Sequence, residues 1–411
     1  MNNTILEKAN RTYELLSADE ACKGYAAQVK GLIEKLENRE MAVSIIGQFK
    51  RGKSSLSNAI LGDKIMPVGI VPITSAVTKV VYGEKAAEVR FINGVVQEIE
   101  FEQLSEFISE QENNNNERGV EEVVLHCPSA FLKDGLTFVD TPGVGSFHQN
   151  NTETAYHYMK ESDAVIFLLS VDSPINQIEI DFLQGTKEFA GKFYFAVNKV
   201  DTVGEDDLKA YMDYCEKLLC HLMETKEIHL FPVSAKFGQG IEELKATVLA
   251  DSVRHAEEIL EDSTEKKLKE AITSALRQLD FYWKAMNMEY KELDEKFNAV
   301  NEAVAAIKAD AAEKEFLFEM FLNEFKLKLS QTVYELFGME YHYDIEQLPA
   351  GIITMKKEDF LKKVDLLCQD LLDTLNRILL YREENAYTVV RRINAINRLT
   401  RSLRTIRDGL K

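Results

Sequence analysis

The stretch Met41–Ser55, MAVSIIGQFKRGKSS, constrains the fold more than any other part of the chain. Ala42–Ile46 is apolar, rich in β-branched residues and free of breakers, the pattern of a short buried strand. It runs directly into Gly47-Gln48-Phe49-Lys50-Arg51-Gly52-Lys53-Ser54, which fits the phosphate-loop pattern G-x-x-x-x-G-K-[ST]. Asn58–Leu61 then continues with helical periodicity. Strand, glycine loop and helix N-terminus together make an anion cradle, because the glycines let backbone N–H groups wrap a phosphate. The whole loop from Gly47 through Ser55 is therefore the expected nucleotide-binding segment. Lys53 would reach the outer phosphates, and the Ser54 hydroxyl would hold Mg²⁺.

A chain of 411 residues is too long for one ordinary domain, so two or three are expected. Its 45% hydrophobic content can fill a real core. The net charge of −19 argues against nucleic acid as a main partner, since that needs a basic footprint. Cys22, Cys127, Cys215, Cys220 and Cys368 have neither metal-ligand nor disulfide spacing, which suits small core residues in a reducing cytosol. The N-terminus has no apolar stretch of signal-peptide length, and no window reaches about 18 apolar residues. A cytoplasmic location is expected, with any membrane contact peripheral.

Three regions follow from the pattern. Residues 1–40 read as a helix, with apolar positions at Val29, Leu32, Ile33 and Leu36, that must pack on something else. Residues 41–250 alternate strand and helix, which predicts an α/β fold with a mainly parallel sheet covered on both faces. Its strand candidates are Ala42–Ile46, Val77–Tyr82, Leu136–Val139, Ala164–Leu169, Phe193–Val197 and Ile228–Val233. An insertion after Tyr82 holds the strand-like stretch Val89–Phe101 and a polar run, Glu110–Arg118, that reads as a loop. In residues 251–411 Pro349 is the only proline, and an elongated antiparallel helical bundle, completed by the N-terminal helix, is expected. Ile272, Leu276, Leu279, Trp283, Met286, Tyr290, Leu293, Phe297, Val300, Val304 and Ile307 alternate spacings of four and three. That predicts one unbroken heptad seam of roughly 50 Å. A second seam runs through Phe360, Val364, Leu367, Leu371 and Ile378, and a third through Val389, Ile393, Ile396, Leu403, Ile406 and Leu410. Gly338–Gly351 breaks the helices.

Four further motifs follow the phosphate loop. Asp140-Thr-Pro-Gly143 ends a strand, where the Asp140 carboxylate can hold Mg²⁺ through water and the Gly143 N–H can meet a γ-phosphate. Asn198-Lys199-Val-Asp201 ends another. The Asp201 carboxylate can accept from both N1–H and the 2-amino group of guanine, a pair adenine does not offer. Asn198 would shape the base site, and the Lys199 stem would lie along the ring. Ser234-Ala235-Lys236 ends the next strand, where the Ala235 N–H can donate to guanine O6. These positions lie at carboxyl ends of strands, where open α/β sheets bind ligands. The fourth, Pro72-Ile-Thr74-Ser-Ala-Val-Thr78, is a switch candidate whose hydroxyl would reach Mg²⁺; Thr74 is assigned, with Ser75 and Thr78 as rivals.

With these residues the chain resembles the dynamin superfamily, and most closely the bacterial dynamin-like proteins. GQFKRGKSS, PITSAVT, FVDTPGVGS and NKVD carry the resemblance, together with the insertion before DTPG and the flanking helices. Residues 41–250 share motifs; 1–40 and 252–411 share only architecture. The resemblance implies a GTPase that turns GTP into GDP and phosphate with Mg²⁺. It implies pairing across the nucleotide face, as a homodimer or heterodimer, and neck and trunk helices that carry the nucleotide state to a membrane. Two departures stand out. Phe49 and Lys50 replace the glutamine and serine that dynamins often carry in mid-loop, so Lys50 or Arg51 is either a charge donor to the phosphates or a solvated loop charge. Val144 stands where many small GTPases place a water-orienting glutamine, which leaves water to be held otherwise, by the Thr74 backbone for example.

Two stretches bear on lipid. Glu315–Phe325 is rich in phenylalanine but interrupted by acids, which favours bundle core over an interfacial segment. Arg391, Arg392, Arg398, Arg401, Arg404, Arg407 and Lys411 give the last helix a basic face, suited to anionic lipid or to acidic neighbours such as Glu257, Glu258, Glu261 and Asp262. A GTPase coupled to membrane tethering or remodelling is the leading expectation. The alternative is a soluble regulatory GTPase whose bundle binds a protein partner. A ribosome-associated GTPase is disfavoured by the acidic balance.

Overall fold

A computed structural model describes residues 4–66, 77–91, 94–109, 112–113, 118–141, 159, 161–187, 189–314, 319–339, 341, 357–383 and 386–410. In chain order the elements are α1 (Ile5–Ser17), α2 (Lys23–Asn38), β1 (Met41–Gly47), α3 (Lys53–Leu61), β2 (Val77–Tyr82), β3 (Ala86–Phe91), β4 (Val96–Ile99), α4 (Leu104–Ile108), β5 (Val120–Cys127) and β6 (Leu136–Asp140). There follow β7 (Ala164–Ser170), α5 (Gln177–Thr186), β8 (Lys192–Asn198), α6 (Glu205–Leu222), β9 (Leu230–Pro232), α7 (Ile241–Arg254) and α8 (Ala256–Asn287). The chain closes with α9 (Tyr290–Glu313), α10 (Glu319–Phe337), α11 (Lys357–Glu383) and α12 (Ala386–Asp408). The described residues form two compact units, one of 35–264 and one of 4–34, 265–341 and 357–410.

The first unit holds a nine-stranded sheet in the order β4-β3-β5-β2-β6-β1-β7-β8-β9. β1 runs parallel to β6 and β7, and β7, β8 and β9 continue in parallel. β2 is antiparallel to β6 and parallel to β5, while β3 is antiparallel to β4 and β5. β7 is buried at every position, as a central strand covered on both faces must be. Its Ala164, Ile166 and Leu168 face a core shared with Leu56 and Ile60 of α3 and Leu244 and Val248 of α7. Its Val165, Phe167 and Leu169 face Phe182 and Leu183 of α5 and Cys215 and Leu219 of α6.

The insertion departs from expectation. Its strand-like stretch is a hairpin, β3 and β4, and a further strand, β5, joins it to β2. Sequence reading missed β5 because Glu121 and Glu122 interrupt its apolar run; Glu122 is nonetheless buried, paired with Arg90 and Lys79. The polar run Glu110–Arg118 lies mostly outside the described residues. The boundary at residue 251 also moves: Ile259 and Leu260, in the first turns of α8, belong to the α/β core.

In the second unit α9 packs on α10 and α11, and α12 packs on α1 and α11. The second seam is fully formed, with Phe360, Val364, Leu367, Leu371 and Ile378 all buried. The first seam is not continuous. It breaks at Met288–Glu289 into α8 and α9, and Trp283 and Tyr290 beside the break are exposed. The Arg382 guanidinium donates to the Met288 carbonyl at 2.8 Å, which satisfies a group that an unbroken helix would have paired. Apolar spacing of three and four survives a tight turn unchanged, so the pattern cannot tell one rod from two. The N-terminal segment, expected as one helix, is two, α1 and α2, broken at residues 18–22 where Asp19 caps a turn. It is anchored here by Lys8, which donates to the Gly409 carbonyl at 2.8 Å, and by Arg392, which forks onto Asp19 at 2.7 and 2.8 Å. The phenylalanine-rich stretch is described only from Glu319; Phe325 is buried against Phe360, in line with bundle core.

Candidate functional site

The site begins where β1 ends. A Cβ on Gly47 would lie 2.6 Å from the Leu168 carbonyl oxygen of β7, so only glycine lets the chain leave the sheet there. Gly52 has φ +94° at the start of α3, and a Cβ on it would meet Asn198 Nδ2 at 2.5 Å. Lys50 also holds a left-handed conformation, φ +68°, without glycine's freedom, which is the kind of strain that collects at functional loops. No side chain caps the N-terminus of α3, so its first N–H groups are left for an anion. Lys53 is buried and folds back, its Nζ donating to the Gly47 carbonyl at 2.9 Å and the Gln48 carbonyl at 3.4 Å. Burial lowers its pKa to about 8, against the pull of the Asp140 and Glu179 carboxylates.

Asp140 ends β6 and is almost fully buried, and its Oδ1 has no hydrogen-bond partner. Burial raises its pKa to about 6, opposed by the Lys53 charge and by a hydrogen bond with Ser54. A hydroxyl and an unsatisfied carboxylate oxygen at the head of a phosphate-binding helix are the donors that Mg²⁺ takes. Ser54 and Asp140 thus fit the metal. Thr78, the rival of Thr74 for the switch role, faces Asp140 across the β2–β6 pair, and its buried hydroxyl is likewise unpaired. Thr74, Ser75 and Gly143 lie outside the described residues. Metal binding requires the ionised carboxylate. Below the raised Asp140 pKa of about 6, proton competition should weaken Mg²⁺ by about tenfold per pH unit. Calorimetric Mg²⁺ titration of the GDP form between pH 5 and pH 7 measures this; a flat profile contradicts it.

The motif expected to read the base lies on the other side of the loop. Asn198 ends β8, donating from Nδ2 to the Arg51 carbonyl at 2.9 Å and accepting from the Ala235 N–H at 3.0 Å. That N–H, expected to face guanine O6, is engaged by Asn198 here. Lys199 has φ +63°, and its Nζ donates to the Lys50 carbonyl at 2.7 Å and to Asp172 Oδ2 at 2.5 Å. Asp201 Oδ1 accepts from Ser234 Oγ at 2.6 Å, and its carboxylate remains on the surface. One cleft of about 790 Å³ joins these parts, with Gly52, Ser55, Asn198, Lys199, Asp201, Ala235 and Lys236 among its lining residues. Phosphate loop and base motif therefore open on the same space. Gln48 is tied to Asn176 at 2.7 Å, and Phe49 lies under the Lys50 ammonium at 5.4 Å.

Arg51 corrects one expectation. Its guanidinium is not available to phosphate: it is 2% exposed and paired with the buried Glu179. Lys50 keeps an exposed side chain. Sequence reading missed Asp172 and Glu179 altogether. The available signal was Asn176-x-x-Glu179, a helix-capping pattern just after a buried strand.

Residues 43–201 match the family described as the Dynamin family. The chain is 32% identical over 330 residues to the "Uncharacterized protein in xynA 3'region" of Caldicellulosiruptor sp. (strain Rt8B.4), covering 74% of this chain and 79% of that one. It is 30% identical over 193 residues to Dynamin-like protein 2 of Campylobacter jejuni, covering 46% of this chain and 31% of that one. With Dynamin-like protein A of Bacillus subtilis it shares 24% identity over 198 residues, 48% of this chain and 16% of that one. The chain thus spans most of the first relative and less than a third of the other two.

Proposed function

Because the chain belongs to the dynamin family and is a GTPase, we propose that its hydrolysis of GTP is coupled to dimerisation across the nucleotide face and to contact with a membrane. The observation that carries this reading is the single cleft shared by Gly52, Asn198 and Asp201. In it Asp201 selects guanine and Asn198 braces the base site. Lys53 unfolds from the Gly47 carbonyl to meet the outer phosphates. Mg²⁺, held through Ser54 and Asp140 with a switch hydroxyl from Thr74, would neutralise phosphate charge. Lys50, exposed within the loop, can add positive charge in cis or across a dimer.

The membrane half of the reading is supported by α12. Arg391, Arg398, Arg401 and Arg404 are exposed on it, while Arg392 is spent on Asp19 and Arg407 bonds Asp408. Exposed arginines on an amphipathic helix attract anionic lipid. Among the described residues no helix is long and apolar enough to cross a membrane.

The test is light scattering coupled to size-exclusion chromatography on the apo, GDP and transition-state-mimic forms, with and without anionic liposomes. Dimers confined to the transition-state form are expected, with turnover per protein rising with protein concentration. Liposome binding should be salt-sensitive and lost in Arg401→Ala/Arg404→Ala/Arg407→Ala. Turnover that stays flat with concentration removes the dimer. Dimers that ignore liposomes return the reading of a GTPase whose bundle serves a protein partner.

A further inference from the structure

The largest fully buried side chain among the described residues belongs to the phosphate loop. Arg51 Nε donates to Glu179 Oε1 at 3.1 Å, and Nη2 donates to Glu179 Oε2 at 2.8 Å, a two-pronged fork onto a carboxylate that is itself 0% exposed. Nη1 donates to the Ser170 carbonyl at 3.2 Å, the Ser173 carbonyl at 2.8 Å and Ser173 Oγ at 2.6 Å. Nη2 also reaches the Pro174 carbonyl at 3.2 Å. Every N–H direction of the guanidinium is used, and all partners lie between the end of β7 and the first turn of α5. The neighbouring Asn176 takes hold of Gln48, and Glu179 Oε2 accepts from the Asn176 N–H at 3.1 Å. The Arg51 carbonyl, facing the other way, accepts from Asn198.

We propose that the Arg51–Glu179 pair is a positioning device for nucleotide binding, fixing the phosphate loop in its binding shape by stapling it to residues 170–179 without touching the ligand. The inference rests on the nucleotide reading of the cleft. A loop with a left-handed lysine at position 50 needs an external hold. A fork onto a buried carboxylate supplies one that a single ammonium could not. Three of the surrounding contacts are the backbone carbonyls of Ser170, Ser173 and Pro174, so the staple holds main-chain geometry as well as the Ser173 side chain.

The test compares the full chain with Arg51→Gln, Glu179→Gln, the double variant Arg51→Gln/Glu179→Gln, and Arg51→Lys. Binding of fluorescent GDP and KM for GTP are measured well below each melting temperature, with circular dichroism confirming the fold. Each single variant, folded, should bind GDP roughly tenfold to a hundredfold more weakly, with KM rising in step. The double variant should lose far less than the product of the two, because a neutral pair of matching shape leaves no unpaired buried charge. Arg51→Lys should fall between wild type and Arg51→Gln. Folded variants with lowered melting temperature but unchanged affinity overturn the inference, as does a double variant whose losses multiply. Should a single variant fail to fold, wild-type-like binding by both Arg51→Lys and the neutral pair overturns it equally. A wild-type chain that ignores GDP overturns the nucleotide reading and this inference together; binding by wild type and variants alike overturns this inference alone.

Discussion

Replacing Lys53 with methionine should abolish GTP turnover while leaving the nucleotide-free protein at least as stable as before. The ammonium is buried, and its pKa has fallen from 10.5 to about 8 because burial penalises its charge more than nearby carboxylates favour it. Its Nζ donates to the Gly47 and Gln48 carbonyls. Methionine has similar length and fills the space without a charge, so at neutral pH the nucleotide-free variant should be at least as stable as wild type, having lost the cost of the buried charge. The lowered pKa sets a sign. Between about pH 8 and the model-compound value of 10.5 the unfolded chain holds a proton that the folded one has lost, so wild-type stability gains from this group as pH rises. Lys53→Met should lack that gain. With nucleotide the balance reverses, because the γ-phosphate loses its main cation. A drop in turnover of about 10³ or more is expected. GDP and Mg²⁺ should raise the melting temperature of wild type and leave that of the variant unmoved. Phosphate release under single-turnover conditions and thermal melts measure both. Persistent turnover in Lys53→Met would assign the phosphate contact to another cation, with Lys50 the exposed candidate.

Asp201→Asn should exchange one nucleotide base for another. A carboxylate accepts from both N1–H and the 2-amino group of guanine; an amide offers one acceptor and one donor. A site built for two such bonds rejects a mismatch by about 10⁴ in favourable cases, since buried polar groups are left unpaired. Partial exposure of Asp201 moderates this, and a loss of about 10² to 10³ in GDP affinity is expected. Xanthine carries an oxygen where guanine has its amino group, and the new amide N–H₂ can donate to it. Affinity for xanthosine diphosphate should therefore rise above that for GDP. The Ser234 hydroxyl can donate to the amide oxygen as it does to Oδ1, so the fold should be undisturbed. Equal GDP affinity in variant and wild type would mean that Asp201 does not read the base.

The site was legible wherever chemistry is written in consecutive residues. The run from Gly47 to Ser54 carries its own strand, turn and helix start. NKVD and Ser234-Ala235-Lys236 follow strands, and the cleft draws Asn198, Asp201 and Ala235 to one place. What stayed hidden depends on partners distant in sequence. Arg51 looked like a free loop charge because Glu179, which buries it, stands 128 residues away. The Ala235 N–H looked open because nothing local shows that Asn198 takes it. In the helical unit, heptad spacing gave the correct faces and the wrong length, since a turn at Met288 leaves the apolar count intact. β5 escaped because Glu122 is paid for by ion pairs that its own strand does not contain.

Gly52 touches both halves of this arrangement at once. Its missing side chain is what allows Asn198 to rest against the loop, separated from it by less than a methyl group. The Asn198 amide, bonded to the Arg51 carbonyl, then ties one half to the other. Pyrophosphate and guanosine, offered as separate fragments, should help each other in rather than bind as strangers, and the intact nucleotide should leave in a single step.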